Sequence, residues 1–391
     1  MKKIVIFALA VLMCCGAEAK GFVTTWACSP QPFRKDDVPE RIKLDEVTIK
    51  QTIHVSVGGK AVKLKLSNEY SDSIIEIRSV RLEDADYLTF NGSRSVDIPK
   101  GEAVWSDELK YDLKPLQILN ITVEYGKMPK QPTVHSGSRT TSVITKGTET
   151  EGVLHWYTIA ALDVKTSKAE CIPAIGNSIT DGRGTTNDKQ NRWTDIANET
   201  LGASSKVGVV NLGIGGNAVC FGGIGPTALK RFDSDVLGQH GIKRIIIFEG
   251  VNDIGGSRDA DKTKEFLIKG YMEMIRKAHE KGLIVYGATI TPFGKSFYYN
   301  EEHERCRVAV NEWIRTSGAF DVVMDFDKVL ADPKQPSQLM EEWQSDWLHP
   351  NAEGYKVLGQ YAGEILKKKV TKTKQKHEKN LYVGVAAGVT F

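Results

Sequence analysis

Apolar positions change their rhythm near residue 165. Before it, short stretches alternate. Residues 47–57 carry Val47, Ile49, Ile53, Val55 and Val57 on one parity, and residues 61–66 carry Val62, Leu64 and Leu66. Gly58 and Gly59 between them are a turn signal. Stretches at 74–82, 118–125 and 153–162 continue the pattern. A period of two is what a half-buried strand needs. Short strands at this density predict a β-sandwich over residues 20–165.

From residue 166 onward, short continuous apolar runs alternate with helical patterns. Runs at 171–175, 207–212, 244–249, 283–288 and 320–326 predict five strands covered on both faces, as in a parallel sheet. Helices are predicted over 190–201, 227–239, 261–280 and 303–316. A last one, at 352–368, carries Tyr355, Leu358, Tyr361, Ala362 and Ile365 at helical spacing. The expected architecture is a five-stranded parallel α/β domain over 166–369, preceded by the β-sandwich domain.

The ends of the chain add a location. Lys2 and Lys3 precede an apolar run from Ile4 to Met13, and Ala17-Glu18-Ala19 fits a small-x-small cleavage site. Residues 1–19 therefore read as a signal peptide, and the mature chain is expected to be secreted or periplasmic. Cys14 and Cys15 leave lipidation at Cys15 as the alternative. No other segment is apolar enough to predict stable membrane insertion. Cys28, Cys171, Cys220 and Cys306 remain in the mature chain, widely spaced, and read as buried thiols as readily as disulfides. Residues 370–391 form a basic, then apolar, tail. A formal charge of +3 gives no reason to expect a nucleic-acid partner.

Ligands of open α/β sheets bind outside the carboxyl ends of the strands. The residues after each predicted strand are Gly176-Asn177-Ser178, Gly213-Ile214-Gly215-Gly216-Asn217, Gly250-Val251-Asn252-Asp253 and, after the last strand and a connection, Asp346-Trp347-Leu348-His349. These are parts of an acyl-transfer site. Ser178 is a hydroxyl at the start of a helix, His349 a base and Asp346 its orienter. Gly216 offers a backbone N–H and Asn252 an amide donor, as a developing oxyanion requires. Taken singly, each has a plainer reading: Ser178 and Asn252 as helix caps, His349 as surface structure. Gly213 and Gly215 compete with Gly216, which Asn211 and Asn217 favour by their frame. Asp181 and Asp253 read as structural.

Together the four segments resemble the four blocks of the SGNH hydrolases, also called GDSL esterases. The resemblance covers residues 170–366. It implies a flavodoxin-like fold, Ser178 as nucleophile, His349 and Asp346 as its base and orienter, and an oxyanion hole from the Ser178 and Gly216 N–H groups and the Asn252 amide. One position departs: the family's first block usually reads Gly-Asp-Ser, and here Asn177 precedes Ser178. An exported two-domain member resembles the esterases that remove acetyl groups from plant cell-wall polysaccharides, which makes an acylated carbohydrate the expected substrate. The alternatives are a lysophospholipase or broad lipid or aryl esterase on the same site, and an inactive carbohydrate-binding protein.

Other motifs add little. Gly213-x-Gly215-x-x-Ala218 fits a loose dinucleotide fingerprint but lies on the second strand, with its nearest strand-end acid too far along. No P-loop, His-Glu-x-x-His or Cys-x-x-Cys occurs, so neither metal nor organic cofactor is expected.

Overall fold

A computed structural model describes residues 21–83 and 85–368. The predicted signal peptide, with Cys14 and Cys15, and the tail at 370–391 lie outside the described residues.

The second half holds five parallel strands: β1 (Glu170–Gly176), β2 (Val207–Gly213), β3 (Arg244–Phe248), β4 (Ile284–Ala288) and β5 (Val322–Met324). Their order is β2-β1-β3-β4-β5. Their apolar runs are continuous because both faces are covered: Ile172, Ile175, Ile245 and Ile246 are wholly buried. The helices that matter for the site are α1 (Ser178–Asp181), α2 (Trp193–Leu201), α3 (Val251–Gly255), α4 (Ala260–Glu280), α5 (Glu301–Thr316) and α6 (Ala352–Lys367).

The first half is antiparallel. One sheet runs from Phe22–Ala27 through Ile159–Lys165 to Gly59–Ser67; the other centres on Thr48–His54, Ile118–Tyr125 and Ile75–Leu82. Alternation decides which side chains go inward. Ile49 and Ile53 are buried while Lys50 is exposed, and Ile75 and Ile77 are buried on the next strand but one. Both sheets feed one hydrophobic cluster, including Val62, Leu64 and Leu162 from the first and Ile49, Ile77 and Ile121 from the second. That arrangement fits a sandwich.

Three predicted elements differ. The run at 153–162 is broken: Trp156–Tyr157 pairs with Val134–His135 as a separate ribbon, and Thr158 takes a positive φ of 60° before the next strand begins at Ile159. The last parallel strand stops at Met324, because the Asp325 carboxylate caps a turn of helix at Phe326–Leu330. The helix expected at 227–239 is α-helical only at Ala228–Arg231 and widens to a π-turn over Phe232–Val236. Cys28, Cys171 and Cys306 are buried free thiols, and Cys220 is a half-buried one.

Candidate active site

The structure brings all five sequence-predicted site residues to the carboxyl end of the parallel sheet. Strand β1 ends at Gly176, and Asn177 caps α1 through its side-chain oxygen, which accepts from the Ile179 N–H at 3.0 Å. Ser178 is therefore the first residue of α1, where a backbone N–H has no partner within the helix.

Ser178 Oγ lies 2.8 Å from His349 Nε2. On the other side of the ring, His349 Nδ1 lies 2.9 Å from Asp346 Oδ2. Asp346 also accepts from the backbone N–H groups of His349 at 2.8 Å and Leu348 at 3.1 Å. The three-residue spacing thus folds into a tight turn, with Trp347 at φ 62°, that holds the carboxylate against the imidazole. Burial pushes the Asp346 carboxyl up, but the hydrogen bonds from the His349 ring and these N–H groups outweigh it and hold it well below the usual carboxylate range. Ser178 and His349 are buried, whereas Asp346 is partly exposed.

Asn252, in α3, donates from Nδ2 to the Asn217 carbonyl at 2.7 Å, which sets it directly beside Gly216. The sequence did not single out what holds the other end of this amide. The Tyr298 hydroxyl, on the loop after β4, donates to Asn252 Oδ1 at 3.0 Å. With both ends pinned, one Nδ2–H remains to act as donor. Gly216 has φ +74°, and a Cβ there would press on the Ile224 side chain, so the turn requires glycine. The Asp253 carboxylate accepts from the Val219 and Cys220 N–H groups and ties this loop to α3, a structural part as expected.

Residues 174–357 match the family described as GDSL-like lipase/acylhydrolase. That part of the chain is a GDSL-type ester hydrolase domain. Among solved structures it is similar to a member of the G-D-S-L lipolytic family from Veillonella parvula, with 21% identity over 51% of this chain and 100% of that one, TM-score 0.41. It is also similar to a GDSL-like lipase from Bacteroides thetaiotaomicron, with 17% identity over 50% of this chain and 87% of that one, TM-score 0.39. A family two carbohydrate esterase from Cellvibrio japonicus is similar over 90% of this chain and 95% of that one, at 11% identity and TM-score 0.38. No curated protein matches.

In this domain the site rests on a buried polar layer that sequence reasoning did not find. The Arg231 guanidinium is wholly buried and donates to the Gly176 and Leu212 carbonyls, at 3.0 and 2.7 Å, and to Asn217 Oδ1 at 2.9 Å. It therefore joins the ends of β1 and β2 to the residue beside Gly216. A further donation, to Ser29 Oγ at 2.8 Å, reaches into the β half. An arginine on a helical stretch reads as surface in a single sequence; only the fold shows what it spans.

The β half approaches α1 as well. His135 Nε2 lies 3.0 Å from Asp181 Oδ1, and its Nδ1 lies 2.9 Å from the Ser29 carbonyl. A Cβ on Gly137 would run into the Asp181 carboxylate, so the loop carrying it passes close over the end of α1. Asp181 is thus a docking point for the β half. Among the described residues no group of His, Cys, Asp and Glu side chains is placed to hold a metal, and no helix is long and apolar enough to cross a membrane.

Proposed function

We propose that this esterase removes short acyl groups, acetyl above all, from carbohydrate by a serine mechanism at Ser178. Ser178 Oγ attacks the ester carbonyl as its proton passes to His349 Nε2. Asp346 holds the ring in the tautomer that leaves Nε2 free to accept. The oxygen that becomes an anion is met by the N–H groups of Ser178 and Gly216 and by Asn252 Nδ2. Collapse of the tetrahedral intermediate expels the alcohol, which takes the proton from His349. Water, deprotonated by the same imidazole, then releases the acid. The observation that carries this reading is the unbroken contact chain Ser178–His349–Asp346, at 2.8 and 2.9 Å.

The carbohydrate part draws on the expected export signal, on the β half docked beside α1, and on flat rings around the site. Trp347 lies between Asp346 and His349 in sequence, with Lys295 Nζ 4.1 Å above its ring, and Phe297, next to Tyr298, is 76% exposed. Such rings offer broad contact area at small entropic cost. The same exposed Phe297, with Phe221 at 57%, favours a second reading as a lipid esterase. A series of acyl chain lengths separates the two. A pocket built for lipid gains about 0.8 kcal/mol for each buried CH₂, so its kcat/KM climbs with chain length. The carbohydrate reading expects acetylated glycans to be cleaved and octanoyl esters to be poor substrates. A steady climb, with no release of acetate from glycans, would refute it.

A further inference from the structure

The one departure from the family's motif has a partner in the fold. Asn177 uses its amide oxygen to cap α1, which leaves Nδ2 pointing at Glu249, whose Oε2 accepts from it at 3.1 Å. Glu249 directly follows β3, and its side chain has no exposed surface. Its Oε2 also accepts from the Gly250 N–H at 3.3 Å, while Oε1 has no hydrogen-bond partner and lies 3.6 Å from the Arg231 guanidinium.

The charges around this pair are out of balance. Arg231 is one cation, and it faces two carboxylates, Glu249 and Asp235, the latter at 3.4 Å. Asp253, on α3, adds a third negative group within range of Glu249, and from α4 the Tyr271 hydroxyl donates to the Glu249 backbone carbonyl at 2.7 Å. Burial, with Asp253 adding to it and Arg231 opposing, pushes the Glu249 carboxyl up to about 8, and burial raises Asp235 as well. An aspartate at 177 would set a further carboxylate oxygen about 3 Å from Glu249 with no cation left to balance it. Two carboxyl groups that close cannot both ionise and must share a proton. Asparagine keeps the capping oxygen and replaces the clash with a donor.

We propose that Glu249 is a positioning residue for the turn that presents Ser178, and that Asn177 and Glu249 are a matched pair. This rests on Ser178 being the nucleophile. The glutamate acts through Asn177, one residue before the hydroxyl, in a helix of four residues. Asparagine at 177 is then the form of the motif that a carboxylate at 249 demands.

The test is the pH profile of kcat/KM for a small acetyl ester, from about pH 6 to 9.5, in wild type, N177D and N177D/E249Q. In N177D the two carboxyl groups share one proton at the acid end of this range and lose it as pH rises. That variant should fall on the alkaline side, by about tenfold or more relative to wild type, the scale of one lost charge-assisted hydrogen bond. The double variant supplies an amide N–H to the introduced carboxylate and should regain the alkaline-side activity that N177D loses. An N177D profile parallel to wild type overturns the proposal, as does a double variant that behaves like N177D. If N177D does not fold, melting curves take over: recovery of a folded protein in the double variant supports the pair, and an unfolded double variant overturns it. Failure of wild-type Ser178 to react with a fluorophosphonate would sink the functional reading itself, a different result from failed rescue.

Discussion

Histidine–aspartate pairs serve both the seam between the two halves and the candidate site, and the pairs at His135 and His349 differ in what the second ring nitrogen meets. Three pairs bind the β half to the α/β half: His54 with Asp195 at 2.9 Å, His135 with Asp181 at 3.0 Å, and His240 with Asp163 at 2.5 Å. At His135 the remaining nitrogen faces the Ser29 carbonyl, so the ring is closed off on both sides. In the pair at the candidate site, His349 turns its second nitrogen to the Ser178 hydroxyl at the start of α1. At His135 the two side chains thus have the geometry of a rivet, and at His349 that of a proton relay, because there one ring nitrogen meets a group that can give up a proton.

Several substitutions test that division. The largest effect belongs to Ser178→Ala. It should lower kcat by about 10⁴-fold or more, the scale for a triad nucleophile, with the melting temperature unchanged. Activity within about tenfold of wild type would mean another group attacks.

Next comes Asn252→Ala. Loss of one oxyanion donor should cost about 10²–10³ in kcat with little change in KM. A lowered melting point with normal kcat would make Asn252 a helix cap alone. Tyr298→Phe should act through Asn252 and cost less. Removing one neutral hydrogen bond of about 1 kcal/mol predicts a fall in kcat of up to about tenfold. KM should hold, since the lost constraint matters only when charge develops. An unchanged kcat would remove Tyr298 from the site.

The smallest effect concerns a rivet. Burial pushes the His54 imidazole down, but the hydrogen bond and charge of Asp195 outweigh it and hold it above its ordinary value. A raised histidine contributes stability that is fully present below the unfolded value of about 6.5 and is lost as pH rises through the folded value. Asp195, held low despite its burial by Arg192 and His54, loses its own contribution only as pH falls below the ordinary carboxylate range. His54→Gln should therefore melt below wild type at pH 6, with the deficit shrinking at higher pH, and turnover per folded molecule should stay near wild type. A deficit that grows with pH would contradict the pairing.

How much of this was legible in the sequence depended on the separation of partners. The doubly covered strands β1 to β4 were plain from their apolar runs, and β5 was read too long because Asp325 caps a turn that periodicity does not show. Residues 153–162 were read as one strand because their composition is uniformly strand-like; the break at Thr158 is a backbone matter. Asp346 and His349 were legible because they lie three residues apart in one turn. Arg231, Glu249, Tyr298 and His135 were not, since each reaches a partner distant along the chain and none carries a local pattern. The Asn177 departure was visible at once, but its partner 72 residues on was not.

The central claim is that Ser178 is a nucleophile activated by His349. The most direct measurement is labelling with a fluorophosphonate, followed by mass mapping of the modified peptide and the rate in His349→Ala. The account predicts a single adduct on Ser178, formed far more slowly without the imidazole. An adduct on another residue, or an equal rate in the histidine variant, would contradict it.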